Sequence, residues 1–113
     1  MSTVVFLIGG NNLNGWSALY TCRLLSQFGH KCLVYAPDEL ELENLELFNF
    51  LKHILTLPNV EAAEPADFPQ KIDLLVCGLF GDFKIKAWFM ELQDNLSALK
   101  VKQKLITAKN IVY

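Results

Sequence analysis

Apolar positions fall into two rhythms along this chain. Val4-Val5-Phe6-Leu7-Ile8 is a short unbroken apolar run rich in β-branched residues, ended by Gly9-Gly10. Such a run suits a central parallel strand covered on both faces. A helix follows from Gly15, with Asn14 as its N-cap and Trp16, Leu19, Cys22 and Phe28 on or near one face, until Gly29 stops it. Cys32-Leu33-Val34-Tyr35 reads as the second strand. The spacing then predicts one helix from about Leu40 to Leu55, with Asp38 and Glu41 in a capping arrangement and Leu42, Leu45, Phe48, Leu51, Ile54 and Leu55 at spacings of three and four. Asn59 to Gln70, with Pro65 and Pro69, reads as loop, with Val60 as the marker of a short edge strand.

Ile72 to Phe80 is another buried strand, turned by Gly81-Asp82. A third helix is expected from about Ile85 to Leu99, and a last strand at Leu105-Ile106-Thr107-Ala108. The alternation of strands and helices predicts a small Rossmann-like α/β three-layer sandwich, with a mostly parallel sheet of four or five strands. The 113 residues fit one domain, 1–113.

Composition narrows the function classes. Hydrophobic residues make up 52% of the chain, which excludes disorder. No apolar run approaches the roughly 18 residues that would span a bilayer. The first ten residues lack the basic flank of a signal peptide. Net charge is −2, with no global pull toward nucleic acid or membrane. The distribution is uneven: Asp38 to Asp73 is acidic, whereas Lys84, Lys86, Lys100, Lys102, Lys104 and Lys109 make the C-terminal quarter basic. Lys100, Lys102 and Lys104 are the candidates for a weak RNA contact. Cys22, Cys32 and Cys77 are odd in number and apolar in setting, which indicates reduced core thiols in a cytoplasmic protein. Their spacing matches no metal site, so no metal is expected.

The strand–glycine–helix corner is where α/β folds dock phosphates. A working P-loop fails here, because Trp16-Ser17 stands where Lys-Ser/Thr would hold phosphate and magnesium. No third glycine follows Gly15 at the offset a dinucleotide fingerprint needs. Asp38 caps a helix more simply than it meets a ribose. His30 sits at a helix C-terminus, His53 on a helix surface and Asp82 in a turn. No catalytic triad or dyad can be assembled from these residues.

Two patches carry a family resemblance: Gly10-Asn11-Asn12-Leu13-Asn14-Gly15-Trp16-Ser17-Ala18, followed by Arg23, and Asp73-Leu74-Leu75-Val76-Cys77-Gly78-Leu79-Phe80-Gly81. Together they make the chain resemble the YjeF N-terminal domain family, which includes NAD(P)HX epimerases and the C-terminal domain of the enhancer of mRNA decapping. The epimerases' GxGNNGGDG loop is degenerate here: Gly10, Asn14 and Gly15 remain, but Gly-Asp-Gly has become Trp16-Ser17-Ala18. An indole at position 16 is expected to fill or overhang the space where backbone N–H groups would meet phosphate. The strand carboxylate of the epimerases falls at Cys77, and a thiol with an ordinary value near 8.5 is a poor substitute near pH 7.

The resemblance thus implies a non-catalytic module of the decapping-enhancer kind, with no cofactor. The expected actions are homodimerisation or docking of a protein partner. Trp88-Phe89-Met90 in one helix diverge by about 100° per residue and cannot all face inward. With Phe48 and Phe50, they are the expected interface. The alternative is an epimerase-like nucleotide-binding enzyme in which Asn14, Asp82 and Lys109 have taken over the chemistry.

Overall fold

The computed structural model describes residues 2–9, 13–78 and 100–106. In chain order these form β1 (Thr3–Ile8), α1 (Leu13–Gln27), β2 (Lys31–Tyr35), α2 (Leu40–Glu43), α3 (Leu45–Ile54), β3 (Val60–Ala62), a 3-10 turn (Pro65–Asp67), β4 (Lys71–Gly78) and β5 (Lys100–Ile106). The five strands are ordered β3-β2-β1-β4-β5, and every neighbouring pair is parallel. This is a small Rossmann-like α/β fold, with the strand order reversing between β1 and β4.

Strand β1 owes its central place to its composition. Val4, Val5, Phe6, Leu7 and Ile8 are all buried, as a strand covered on both faces requires. Val4, Phe6 and Ile8 join Cys32, Val34 and Val76 beneath Ala18, Leu19 and Cys22 of α1 and Leu47, Leu51 and Ile54 of α3. On the opposite face, Val5, Leu7, Leu33 and Leu75 are buried as well. Complete burial of each of these larger side chains contributes about 1.5–3 kcal/mol.

Several boundaries differ from the sequence expectations. Helix α1 begins at Leu13, so Asn14 lies inside its first turn rather than at the N-cap. Leu19 and Cys22 face the core, but Phe28 lies just past the helix end, 78% exposed. The single helix expected from Leu40 to Leu55 is broken at Asn44 (φ −152, ψ 87), whose side chain accepts a bond from Leu47 N–H at 3.1 Å. Asn44 thus caps α3, whereas the residue flanking α2 is Glu39, without a side-chain cap. The break resets the helical phase. Leu47, Leu51 and Ile54 keep the core face, while Leu42 and Leu45 turn outward, 91% and 57% exposed.

Val60–Ala62 is indeed a short edge strand. Strand β5 starts at Lys100, five residues before the expected position, and takes Lys100, Lys102 and Lys104 into the sheet. The expected helix from Ile85 to Leu99, with Trp88, Phe89 and Met90, lies outside the described residues.

Helix α1 ends as its glycine predicts. Gly29 has φ 86, its N–H donates to Ser26 O at 3.1 Å, and His30 N–H donates to Leu25 O at 3.2 Å. This is the paired bonding of a Schellman C-cap. No neighbour lies within 4 Å of a Cβ built at Gly29, so only the left-handed backbone demands glycine. Gly29→Ala is therefore expected to lower stability by about 1 kcal/mol, read as an earlier urea midpoint. An unchanged midpoint would show that the C-cap contributes nothing.

Candidate functional site

In a sheet of this order the candidate site is the crevice beyond the carboxyl ends of β1 and β4. The two ends are held together there, Gly9 N–H donating to Gly78 O at 3.3 Å. Helix α1 directs its first turn toward this corner. Leu7 is in register with Cys77, and Ile8 with Gly78, so position 77 stands at the crevice end of β4. Gly10 lies outside the described residues, as do Asp82 and Lys109.

Gly15 is fully enclosed. A Cβ there would come within 2.8 Å of Leu47 Cδ2 and 3.3 Å of Gly9 O. Its bare backbone thus lets α1 approach both α3 and the end of β1. That gives the glycine a packing reason to be present whether or not a ligand ever sits nearby.

Trp16 is half-buried and reaches sideways. Its ring stacks on Phe50 of α3 with centroids 5.3 Å apart and planes at 21°, and Tyr20 tilts against the same ring at 4.9 Å and 48°. The indole therefore has a protein partner, and residues 16 and 20 form a stripe one step around the helix from the buried stripe of 15, 18, 19 and 22. Ser17 is exposed, and its carbonyl accepts the Thr21 hydroxyl at 2.9 Å. Ala18 is fully buried. No carboxylate stands at 16, 17 or 18.

The other sequence candidates scatter. Asp73 accepts Thr3 N–H on Oδ2 at 2.8 Å, which ties its carboxylate to the amino end of β1, opposite the crevice. Arg23 is exposed in mid-helix, with no ion pair among the described residues. His30, half-buried, also lies at the amino end of the sheet, where its Nδ1 has no hydrogen-bond partner. His53 is exposed in the last turn of α3. Phe48 is half-buried with the Lys52 ammonium 5.5 Å above its ring. Phe50 is shared between Trp16 and Tyr20. Lys100, Lys102 and Lys104 alternate along β5 and so occupy one face of it, with Lys100 in register with Lys71.

Sequence reasoning missed two features. A cavity of about 240 Å³ opens beside the carboxyl ends of β2 and β3, lined by Val34, Ala36, Leu51, Leu55, Ala62 and Ala63, with Glu64 and Asp67 also in its wall. It falls short of the roughly 300 Å³ where small-molecule sites begin, and its two carboxylates repel phosphate. Ala62-Ala63 beside two acids was the available signal. The second feature is the set of large apolar side chains left in solvent: Tyr20, Leu24, Phe28, Leu42 and Leu45.

The chain has the fold of a yeast protein of known crystal structure, YNU0 (YNL200c). The two superpose with a TM-score of 0.55 and share 24% identity. The match covers 88% of this chain but only 46% of the yeast protein, so the chain spans just under half of that relative's length. The likeness is one of fold alone. No family model matches the chain, and no curated protein matches it.

Cys22 and Cys32 are both free and fully buried between α1 and β2. The Cys32 thiol lies 3.6 Å from His30 O and 3.9 Å from Cys22 O. Its hydrogen bond with Cys22 pushes the Cys22 thiol up, and burial adds to the rise. The same bond lowers the Cys32 thiol against the opposing effect of its burial, so the two thiols titrate as a pair and their shifts act on stability in opposite directions.

A second prediction concerns Gly15. Gly15→Ala gains about 1 kcal/mol of helix propensity but overpacks a site where displacement typically costs 1–3 kcal/mol. We expect a net loss of about 1 kcal/mol, which disappears when the substitution is made in a Leu47→Ala background. Stabilisation by Gly15→Ala alone would show that the contact is not limiting.

Proposed function

We propose that the chain is a non-catalytic YjeF-N-like module that works by protein–protein contact, either self-associating or docking a partner. The observation that carries this reading is the use made of the first turn of α1. Gly15 is packed under Leu47, Trp16 is stacked on Phe50, and Ala18 is buried in the core. Two positions that a phosphate cradle would leave bare thus serve the joint between α1 and α3, and a third serves the core. The chemistry of the remaining positions agrees with this reading. Proton transfer needs a group that changes charge near pH 7 in the crevice. Ser17 and Cys77 hold the places where the resemblance would put carboxylates, and the Asp73 carboxylate is engaged at the far end of the sheet.

By resemblance to the decapping enhancer, we place the module as a scaffold in mRNA turnover, in the cytoplasm. A weak RNA contact through Lys100, Lys102 and Lys104 is compatible with their shared face on β5 beside Lys71. Such a contact would fade with salt and with replacement of the three lysines.

The alternative, an epimerase-like enzyme relying on Asn14, Asp82 and Lys109, makes a different prediction for one assay. Hydrated NADPH of the R configuration is incubated with the chain, and formation of the S epimer is followed by chromatography, alongside calorimetric titration with NADP. We expect conversion at the buffer rate and no heat of binding. Catalysed conversion abolished by Asp82→Asn or Lys109→Met would establish the alternative.

A further inference from the structure

The cavity beside β2 and β3 is separate from the crevice of β1 and β4, and no residue of either of those strands lines it. Its shape comes from three short stretches. Ala62 is in register with Val34, and Ala63 N–H donates to Val34 O at 3.0 Å, so the cavity begins where the β2–β3 pairing ends. Leu51 and Leu55 lie one turn apart, Leu55 being the C-cap residue of α3, and form one wall. Ala36, Ala62 and Ala63 form another, and their short side chains leave about 240 Å³ open.

A single turn supplies the acidic edge. Glu64 flanks the 3-10 turn in extended conformation (φ −85, ψ 154), and its carbonyl accepts Asp67 N–H at 2.9 Å. That bond holds both acidic residues at one side of the cavity. Both are exposed, whereas Val34 and Leu51 are buried, so the slot is apolar in its depth and anionic at its rim. Among the described residues neither carboxylate has an ion pair or a hydrogen bond. The surrounding chain offers no counter-charge either. No Lys, Arg or His occurs between Ile54 and Gln70, nor between Cys32 and Leu51. Lys52 stands over the Phe48 ring, 5.5 Å from its centroid, and does not line the cavity. An alkyl chain ending in a cation complements both parts of such a slot.

We propose that the cavity receives a lysine or arginine side chain from an extended basic segment of another protein. The proposal rests on the reading of the chain as an interaction module and gives its partner a chemistry. The stem of the inserted side chain lies against Val34, Leu51 and Leu55, and its cationic end stays at the rim with Glu64 and Asp67. Volume favours a side chain over a metabolite, since about 240 Å³ is below the range of small-molecule sites but takes one long side chain. Further basic residues of the segment then meet Asp38 and Glu39, exposed just beyond the carboxyl end of β2. Exposed ion pairs alone contribute little, so insertion of the stem sets the affinity and charge sets which partner is accepted.

Fluorescence anisotropy of a dye-labelled peptide of alternating lysine and serine, titrated with the full chain, tests the proposal. We expect saturable one-to-one binding that weakens with salt. Replacing the lysines by diaminobutyrate keeps the cations on stems two methylenes shorter, and should weaken binding about tenfold. Ala63→Leu fills the cavity without changing any charge. It should weaken binding at least about tenfold, while the urea midpoint stays at or above that of the parent. The double variant Glu64→Gln/Asp67→Asn, at exposed positions that leave folding unchanged, should also weaken it about tenfold. Binding that survives Ala63→Leu overturns the proposal, because the attraction would then be to surface charge alone. So does a parent chain that ignores the peptide, or free spermidine that binds more tightly than the peptide and makes the occupant a metabolite. The two readings fail separately: no peptide binding and no epimerase activity sinks only this site, whereas epimerase activity with peptide binding intact sinks only the non-catalytic reading.

Discussion

Helix α1 can lie where it does only because position 15 has no side chain. The nearest atoms to a Cβ there are a terminal methyl of Leu47 and the carbonyl oxygen of Gly9, both inside van der Waals distance. This approach seats Ala18, Leu19 and Cys22 on β1 and aligns α1 beside α3. Trp16, Phe50 and Tyr20 then close the outer seam between the two helices. Aromatic pairs of this kind add about 0.5–1.5 kcal/mol each beyond the area they bury. The helical layer is thus joined at the corner where α/β folds ordinarily receive phosphate.

That overlap explains why the corner is ambiguous when read as sequence. A glycine at a strand–helix turn serves close packing and ligand approach equally well. In this chain Gly15 has a demonstrable packing duty, so its presence says little about a ligand. Trp16 is the more informative residue. The space over the turn suggested itself as the place for the indole, yet the ring also had Phe50 available, 34 residues later in the chain. Pairing between helices of that separation is set by the sheet and leaves no trace in local spacing.

Much of the fold was nonetheless legible. β-branched runs placed β1, β2 and β4, and Gly29 stopped α1 where it should. The misread elements share a cause, which is competition between local and tertiary preference. Leu42 and Leu45 extend a good helical apolar pattern, but Asn44 caps a new helix between them and rotates both toward solvent. Phe28 follows the periodicity of α1 until the Schellman turn carries it out of the core. Lys100, Lys102 and Lys104 discourage a strand assignment by composition, yet alternate within β5. These same departures create the exposed apolar groups on the helical layer. The engagement of Asp73 at the amino end of the sheet emerged only from the β1–β4 register.

If the first turn of α1 works as a joint between helices, Trp16 and Phe50 must be energetically coupled. In a double-mutant cycle on Trp16→Ala and Phe50→Ala, read by urea unfolding, the two substitutions should be non-additive, with a coupling of about 1 kcal/mol. Strict additivity, with Trp16→Ala leaving stability unchanged, would contradict it, because the indole would then be free of α3 and the corner free for another use.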